Sequence, residues 1–222
     1  MSLYLRQLEL GPMQNFVYLV GDEGTRKCWI VDPAWNVEDA VTQAEKDGYA
    51  LEGALITHAH YDHCNALDTL LKIKDMPVYV NKREADFARA EAATGLFGAL
   101  PKSHVRPVES GDKIALGETT LTFLHTPGHT PGSQCFLVDQ KMVSGDTLFL
   151  GTCGRCDLPG GNPYELYETL NQKIARLPDD TIVLPGHNYS PQAVSGPLGR
   201  EKETNRFFQA HTLDDFLNML GL

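Results

Sequence analysis

Three histidines and an aspartate fall between positions 58 and 63, in Thr57-His58-Ala59-His60-Tyr61-Asp62-His63. In an extended segment, side chains two apart point the same way, so His58 and His60 can reach one metal ion together. As the chain bends into a following helix, Asp62 and His63 fan out toward a second point. A surface cluster of polar loop residues is the bland alternative, and this spacing argues against it. Further candidate ligands lie downstream, each just past an expected strand. His129 sits in Thr126-Pro127-Gly128-His129-Thr130-Pro131-Gly132, Asp146 in Ser144-Gly145-Asp146-Thr147, and His187 in Leu184-Pro185-Gly186-His187. Any one of these could be a turn residue; together they complete a set of five imidazoles and two carboxylates.

The elements that must hold these residues can be read from periodicity. Strands are expected at 3–10, 14–20, 27–31, 51–56 and 78–80, then at 113–115, 119–124, 133–138, 141–144 and 181–184. Val37, Ala40, Val41 and Ala44 recur at helical spacing up to Gly48. Further helices are expected around Leu67–Leu71, over 82–93, around Tyr164–Ile174 and over 212–220, the last capped by Thr212. Strands alternate with helices in both halves and no linker divides them, so the expectation is one α/β domain spanning 1–222.

The four motifs THAHYDH, TPGHTPG, SGDT and PGHNY, in that order, resemble the metallo-β-lactamase superfamily. The resemblance implies an αββα sandwich, two mixed β-sheets flanked by helices, with the metal site at one edge between the sheets. It further implies that His58, His60 and His129 bind one metal, that Asp62, His63 and His187 bind a second, and that Asp146 bridges them. Two divalent ions about 3.5–4 Å apart share a water and lower its pKa from about 15.7 toward 7, giving a hydroxide nucleophile. Asp62 and Asp146 are the expected catalytic carboxylates. Zn, Fe and Mn all suit such donors.

Asp146 speaks against antibiotic hydrolysis, because true β-lactamases of this fold generally lack a bridging aspartate there. The loop Gly151-Thr152-Cys153-Gly154-Arg155-Cys156-Asp157 is similar to the glyoxalase II and persulfide dioxygenase branches. Those branches imply a small-molecule thioester or another glutathione-derived substrate, with Arg155 and Tyr189 as substrate contacts. An aromatic residue expected two positions after the basic one is Asp157 here, and the long C-terminal helical extension of glyoxalase II has no counterpart. The favoured expectation is a thioester hydrolase. The runner-up is a dioxygenase holding a single Fe(II) through His58, His129 and Asp146, which would oxidise glutathione persulfide. A non-catalytic metal-binding module suits this open His/Asp set poorly.

Composition narrows the partners. The 222 residues carry 19 basic and 29 acidic side chains, a formal charge of −10, and 42% are hydrophobic. Such a surface repels phosphate backbones and anionic lipid, so neither nucleic acid nor membrane is an expected partner. No secretory signal is visible, and five cysteines fit a reducing, cytoplasmic setting. Cys28, Cys64 and Cys135 read as packing residues. Cys153 and Cys156 form a lone CxxC whose redox chemistry would require exposed thiols. Asp32 reads equally as a turn carboxylate before Pro33 or as a group orienting a ligand imidazole. His104, His125 and His211 read as non-ligands, and Phe207-Phe208 as helix packing.

Overall fold

A computed structural model describes residues 3–222. The first sheet runs in chain order: β1 (Leu3–Leu10), β2 (Asn15–Asp22), β3 (Lys27–Val31), β4 (Ala50–Leu55), β5 (Val78–Asn81) and β6 (Val105–Val108). β1, β2 and β3 pair antiparallel, and the pairs from β3 to β6 are parallel. The second sheet contains β7 (Lys113–Leu116), β8 (Thr119–His125), β9 (Gln134–Val138) and β10 (Lys141–Gly145). A small hairpin of β11 (Leu148–Phe149) and β12 (Thr152–Cys153) follows. The sheet then resumes with β13 (Ile182–Pro185) and β14 (Gly196–Pro197), in the order β14-β13-β10-β9-β8-β7. Within it, β10 and β13 are parallel and the other neighbours antiparallel.

Helices cover both outer faces. α1 (Val37–Lys46), α2 (Tyr61–Cys64), α3 (Leu67–Ile73) and α4 (Lys82–Ala90) belong to the first half. α5 (Pro163–Glu168), α6 (Leu198–Thr204) and α7 (Leu213–Leu220) belong to the second. The two-residue period of the strands explains the layering. In β2, Phe16, Tyr18 and Val20 face the second sheet, where they meet Phe123, Phe136 and Val143. Val17 and Leu19 turn the other way, onto Val37, Ala40 and Leu70 of the helical layer. Every residue of β2 is therefore buried, as expected of a strand covered on both faces. A third apolar layer places Met142 and Val183 against Leu166, Leu170 and Phe216. Helix, sheet, sheet, helix is the expected αββα sandwich.

Several boundaries differ from the sequence expectation. β6 was not expected; Pro107 interrupts its pattern, which an edge strand tolerates. The helix expected over 82–93 ends at Ala90, a short 3₁₀ turn (Ala92–Thr94) following before Gly95 at φ 71°. The helix expected around Tyr164–Ile174 widens into a π turn at Thr169–Lys173. α6 and the β11–β12 hairpin are additional. α7 is capped by Thr212 as expected, where Thr212 and Asp215 exchange side-chain-to-backbone hydrogen bonds of 3.1 and 3.0 Å.

β3, β4, β8, β10 and β13 run in a common direction within their sheets, and chain segments leave their carboxyl ends at one edge of the sandwich. Asp32 follows β3, Thr57-His58 follows β4, the His129 turn follows β8, Asp146 follows β10 and His187 follows β13.

Candidate metal centre

The seven residues singled out in the sequence converge at that edge. His129 Nε2 lies 3.2 Å from His58 Nε2 and 2.9 Å from His60 Nδ1. His63 Nε2 lies 3.1 Å from His187 Nε2, and Asp62 Oδ2 is 3.3 Å from His187 and 3.6 Å from His63. Asp146 stands between the groups, 3.3 Å from His63, 3.4 Å from His187 and 3.8 Å from His129. Ligand-type atoms lie within 4.8 Å of one another in His58–His60–His129, in Asp62–His63–His187 and in His58–His63–Asp146.

Hydrogen bonds behind the rings aim them inward. His129 Nδ1 donates to the Arg155 carbonyl at 2.6 Å, and His187 Nδ1 donates to the Met13 carbonyl at 2.8 Å. His63 Nδ1 donates to Asp32 Oδ2 at 3.0 Å. Thr57 accepts from His58 Nδ1 at 3.1 Å while its hydroxyl donates to Asp32 Oδ2 at 2.6 Å. Each of these four imidazoles therefore points its Nε2 at the centre. Asp32 combines both of its sequence readings. It turns the chain at φ 50° and also orients His63. Two close approaches make the packing possible. A Cβ at Gly145 (φ 49°) would lie 2.5 Å from Thr57 Oγ1, and one at Gly186 would lie 2.3 Å from Asp146 Oδ1.

The electrostatics divide the centre. Burial, reinforced by the neighbouring imidazoles, pushes His58 well below its ordinary value and His60 down to about 3. Burial also lowers His129. At His63 and His187 burial again disfavours the charge, but Asp146 and the other carboxylates outweigh it. His63 is raised well above the ordinary histidine value and His187 to about 9. Burial opposes ionisation of Asp146 too, yet His63 and His187 hold it well below the usual carboxylate range.

These residues fit divalent metal ions. Buried, uncharged imidazoles turn lone pairs toward one another, and Asp146 Oδ1 is buried without a hydrogen bond. Both features are unfavourable in a protein core until a cation is placed among them.

Arg155 and Tyr189 meet the centre differently. The Arg155 guanidinium is exposed and held by Asp157 through two bonds of 2.7 and 2.8 Å, while its backbone carbonyl serves His129. The Tyr189 ring stacks on His187, centroids 4.6 Å apart and planes 8° from parallel, and is 51% exposed at the rim. Burial raises its hydroxyl to about 12. Cys153 and Cys156 are buried, so the exposure their redox chemistry would need is missing, and burial raises the Cys153 thiol to about 12. Cys28, Cys64 and Cys135 are buried as expected. His104 pairs with Asp75 at 2.9 Å, His125 hydrogen-bonds the Pro131 carbonyl and His211 is exposed. Phe207 packs on Phe216.

Sequence reasoning missed Asn15 and Trp35. Asn15 Nδ2 donates to Asp62 Oδ2 at 3.0 Å, and Trp35 Nε1 donates to Asn15 Oδ1 at 2.7 Å, which fixes the amide's orientation. Their one sequence signal was faint: Asn15 opens an otherwise apolar strand.

Residues 10–187 match the family model described as the metallo-beta-lactamase superfamily. The chain belongs to that superfamily. Among curated relatives, it is 32% identical over 219 residues to the probable metallo-hydrolase YqgX of Bacillus subtilis, covering 94% of this chain and 99% of the relative. It is 29% identical over 175 residues to the probable polyketide biosynthesis zinc-dependent hydrolase PksB of the same species, covering 79% and 73%. Among solved structures, ETHE1 from Myxococcus xanthus superposes with a TM-score of 0.85 at 27% identity, covering 100% of this chain and 90% of that one. The BLEG-1 B3 metallo-beta-lactamase gives 0.80 at 30%, covering 93% and 100%. TTHA1623 in a di-iron-bound form gives 0.75 at 34%, covering 91% and 99%. This superfamily binds divalent metals, and the fold seen here is that of its members. Among the described residues, no helix is long and apolar enough to cross a membrane.

Proposed function

We propose that this chain is a metal-dependent hydrolase acting on a thioester. One observation carries the reading: two complete ligand triads meet on a single shared carboxylate, Asp146. His58, His60 Nδ1 and His129 would hold one ion, Asp62, His63 and His187 a second, and Asp146 both. Two divalent ions so held supply a water acidified to near-neutral pKa and a sink for negative charge developing on a carbonyl oxygen. Asp62, fixed by Asn15, would bind the second ion and orient the attacking water. The names of YqgX and PksB support hydrolysis as the reaction class.

The thioester follows from the leaving group. Every histidine and carboxylate at the centre is committed as a ligand, so none is free to protonate a departing amine or alkoxide. A thiol ionises near pH 8.5 and leaves as thiolate without such help. A glutathione-type carrier is supported by Arg155 at the rim, which would exchange Asp157 for the carrier's carboxylate, and by the exposed face of Tyr189.

A second reading is iron-dependent oxygenation of a persulfide. It is favoured by the two-histidine, one-carboxylate face of His58, His129 and Asp146. Parallel assays of one preparation separate the readings. Acyl-glutathione and acyl-coenzyme A cleavage, hydrolysis of a β-lactam, and oxygen uptake with glutathione persulfide are followed beside metal analysis. Thioester cleavage without oxygen uptake is expected. Oxygen uptake with one iron per chain and no thioester cleavage would replace the first reading by the second.

A further inference from the structure

Glu84 is the most completely buried carboxylate outside the metal centre, with no exposed surface. It is the third residue of α4, where a glutamate commonly folds back onto the helix's first backbone N–H. Here Asn81 caps the helix alone, accepting from Arg83 N at 2.9 Å, and the Glu84 carboxylate crosses to two other segments. The fold-back of the Glu84 carboxylate is thus replaced by bridging. Oε1 accepts from the Ala59 backbone N–H at 2.7 Å. Oε2 accepts from the Thr130 hydroxyl at 2.7 Å and from the Gly132 N–H at 2.9 Å. Ala59 lies between His58 and His60; Thr130 and Gly132 flank the turn carrying His129. A Cβ at Gly132 would lie 2.2 Å from Glu84 N, so the turn rests directly on the start of α4. All three partners are donors, and among the described residues no lysine or arginine forms an ion pair with Glu84.

We infer that Glu84 is a positioning residue for the first metal site, its carboxylate tying the His58–His60 segment to the His129 turn so that three imidazoles converge before any ion arrives. The two segments are separated by about seventy residues of chain, and no ligand side chain links them covalently. Asp62, His63 and His187 receive no hydrogen bond from Glu84, so the effect is confined to one half of the centre. The inference concerns metal affinity and holds whichever reaction the centre performs.

The test measures zinc affinity on metal-free protein by competition with a chromophoric chelator. Two backgrounds isolate the sites: His187→Ala leaves the first triad intact, and His60→Ala leaves the second. Glu84→Gln keeps the volume and one acceptor but turns a donor toward Thr130 and Gly132. In the His187→Ala background it should weaken zinc by about 10–100-fold, the usual cost of losing a group that orients ligands. In the His60→Ala background the change should stay within about threefold. Thr130→Val, which removes one of the three donors and preserves shape, should act in the same direction by a few-fold and serves if Glu84→Gln fails to fold. Equal weakening in both backgrounds would overturn the inference. So would unchanged zinc affinity accompanied by a lower melting temperature of the metal-free protein, the signature of a purely structural role.

Discussion

The two halves of the metal centre use the same residue types and differ in charge. His58, His60 and His129 are buried, uncharged imidazoles with no carboxylate of their own. His63 and His187 lie against Asp62 and Asp146 and keep protons in the metal-free chain. The first half is ready for a cation at neutral pH; the second must give up protons first. One fold edge thus holds two sites of unequal readiness, and the shared Asp146 makes them one centre.

The largest way to break this comparison is to remove what the halves share. Asp146→Ala should lower turnover by about 10³ or more and reduce bound metal from two ions per chain to at most one, measured by steady-state assay and elemental analysis. Retention of two ions would show that Asp146 does not bridge.

The pH dependence sharpens the comparison next. Competition between metal and proton should strengthen second-site affinity by up to about tenfold per pH unit for each proton displaced, until His187 titrates at about 9. First-site affinity should stay nearly flat above pH 6, since His60 titrates at about 3. Stability of the metal-free chain moves the other way. His187 is raised above its ordinary 6.5, so its pairing with the carboxylates contributes fully below that pH and is lost as pH climbs through about 9. Chelator competition and melting curves across pH 6–10 check both slopes.

A smaller effect is confined to the second half. Asn15→Ala removes the amide that fixes Asp62 and should weaken the second ion by about tenfold, leaving the first within about threefold. Tyr189→Leu should act least, raising KM by a few-fold with kcat nearly unchanged, because its ring stacks behind a ligand and offers only its open face to substrate.

The convergence of the seven candidate residues was legible because they are chemically distinctive types in segments that follow apolar strands. His58, Asp146 and His187 mark strand ends that periodicity finds by itself. The supports were less legible. Asn15 and Glu84 reach across the fold to groups distant in sequence, and neither has a local pattern. Asp32 was half legible, its Pro33 neighbour signalling the turn but not the bond to His63. Arg155 shows a different limit: its type and position suggested a side-chain contact, but nothing in the sequence signalled that its carbonyl holds His129 or that Asp157 pairs with its guanidinium. β6 was hidden by Pro107, and the π turn at Thr169–Lys173 by a helical pattern that continues through it.

The central claim is that hydrolysis needs both halves of the centre joined through Asp146. Metal-free protein titrated with zinc at pH 8, with thioester cleavage followed at each addition, tests it most directly. The account predicts that activity rises with the second equivalent and levels off at two. Full thioester hydrolysis at one equivalent, unchanged by the second, would contradict it.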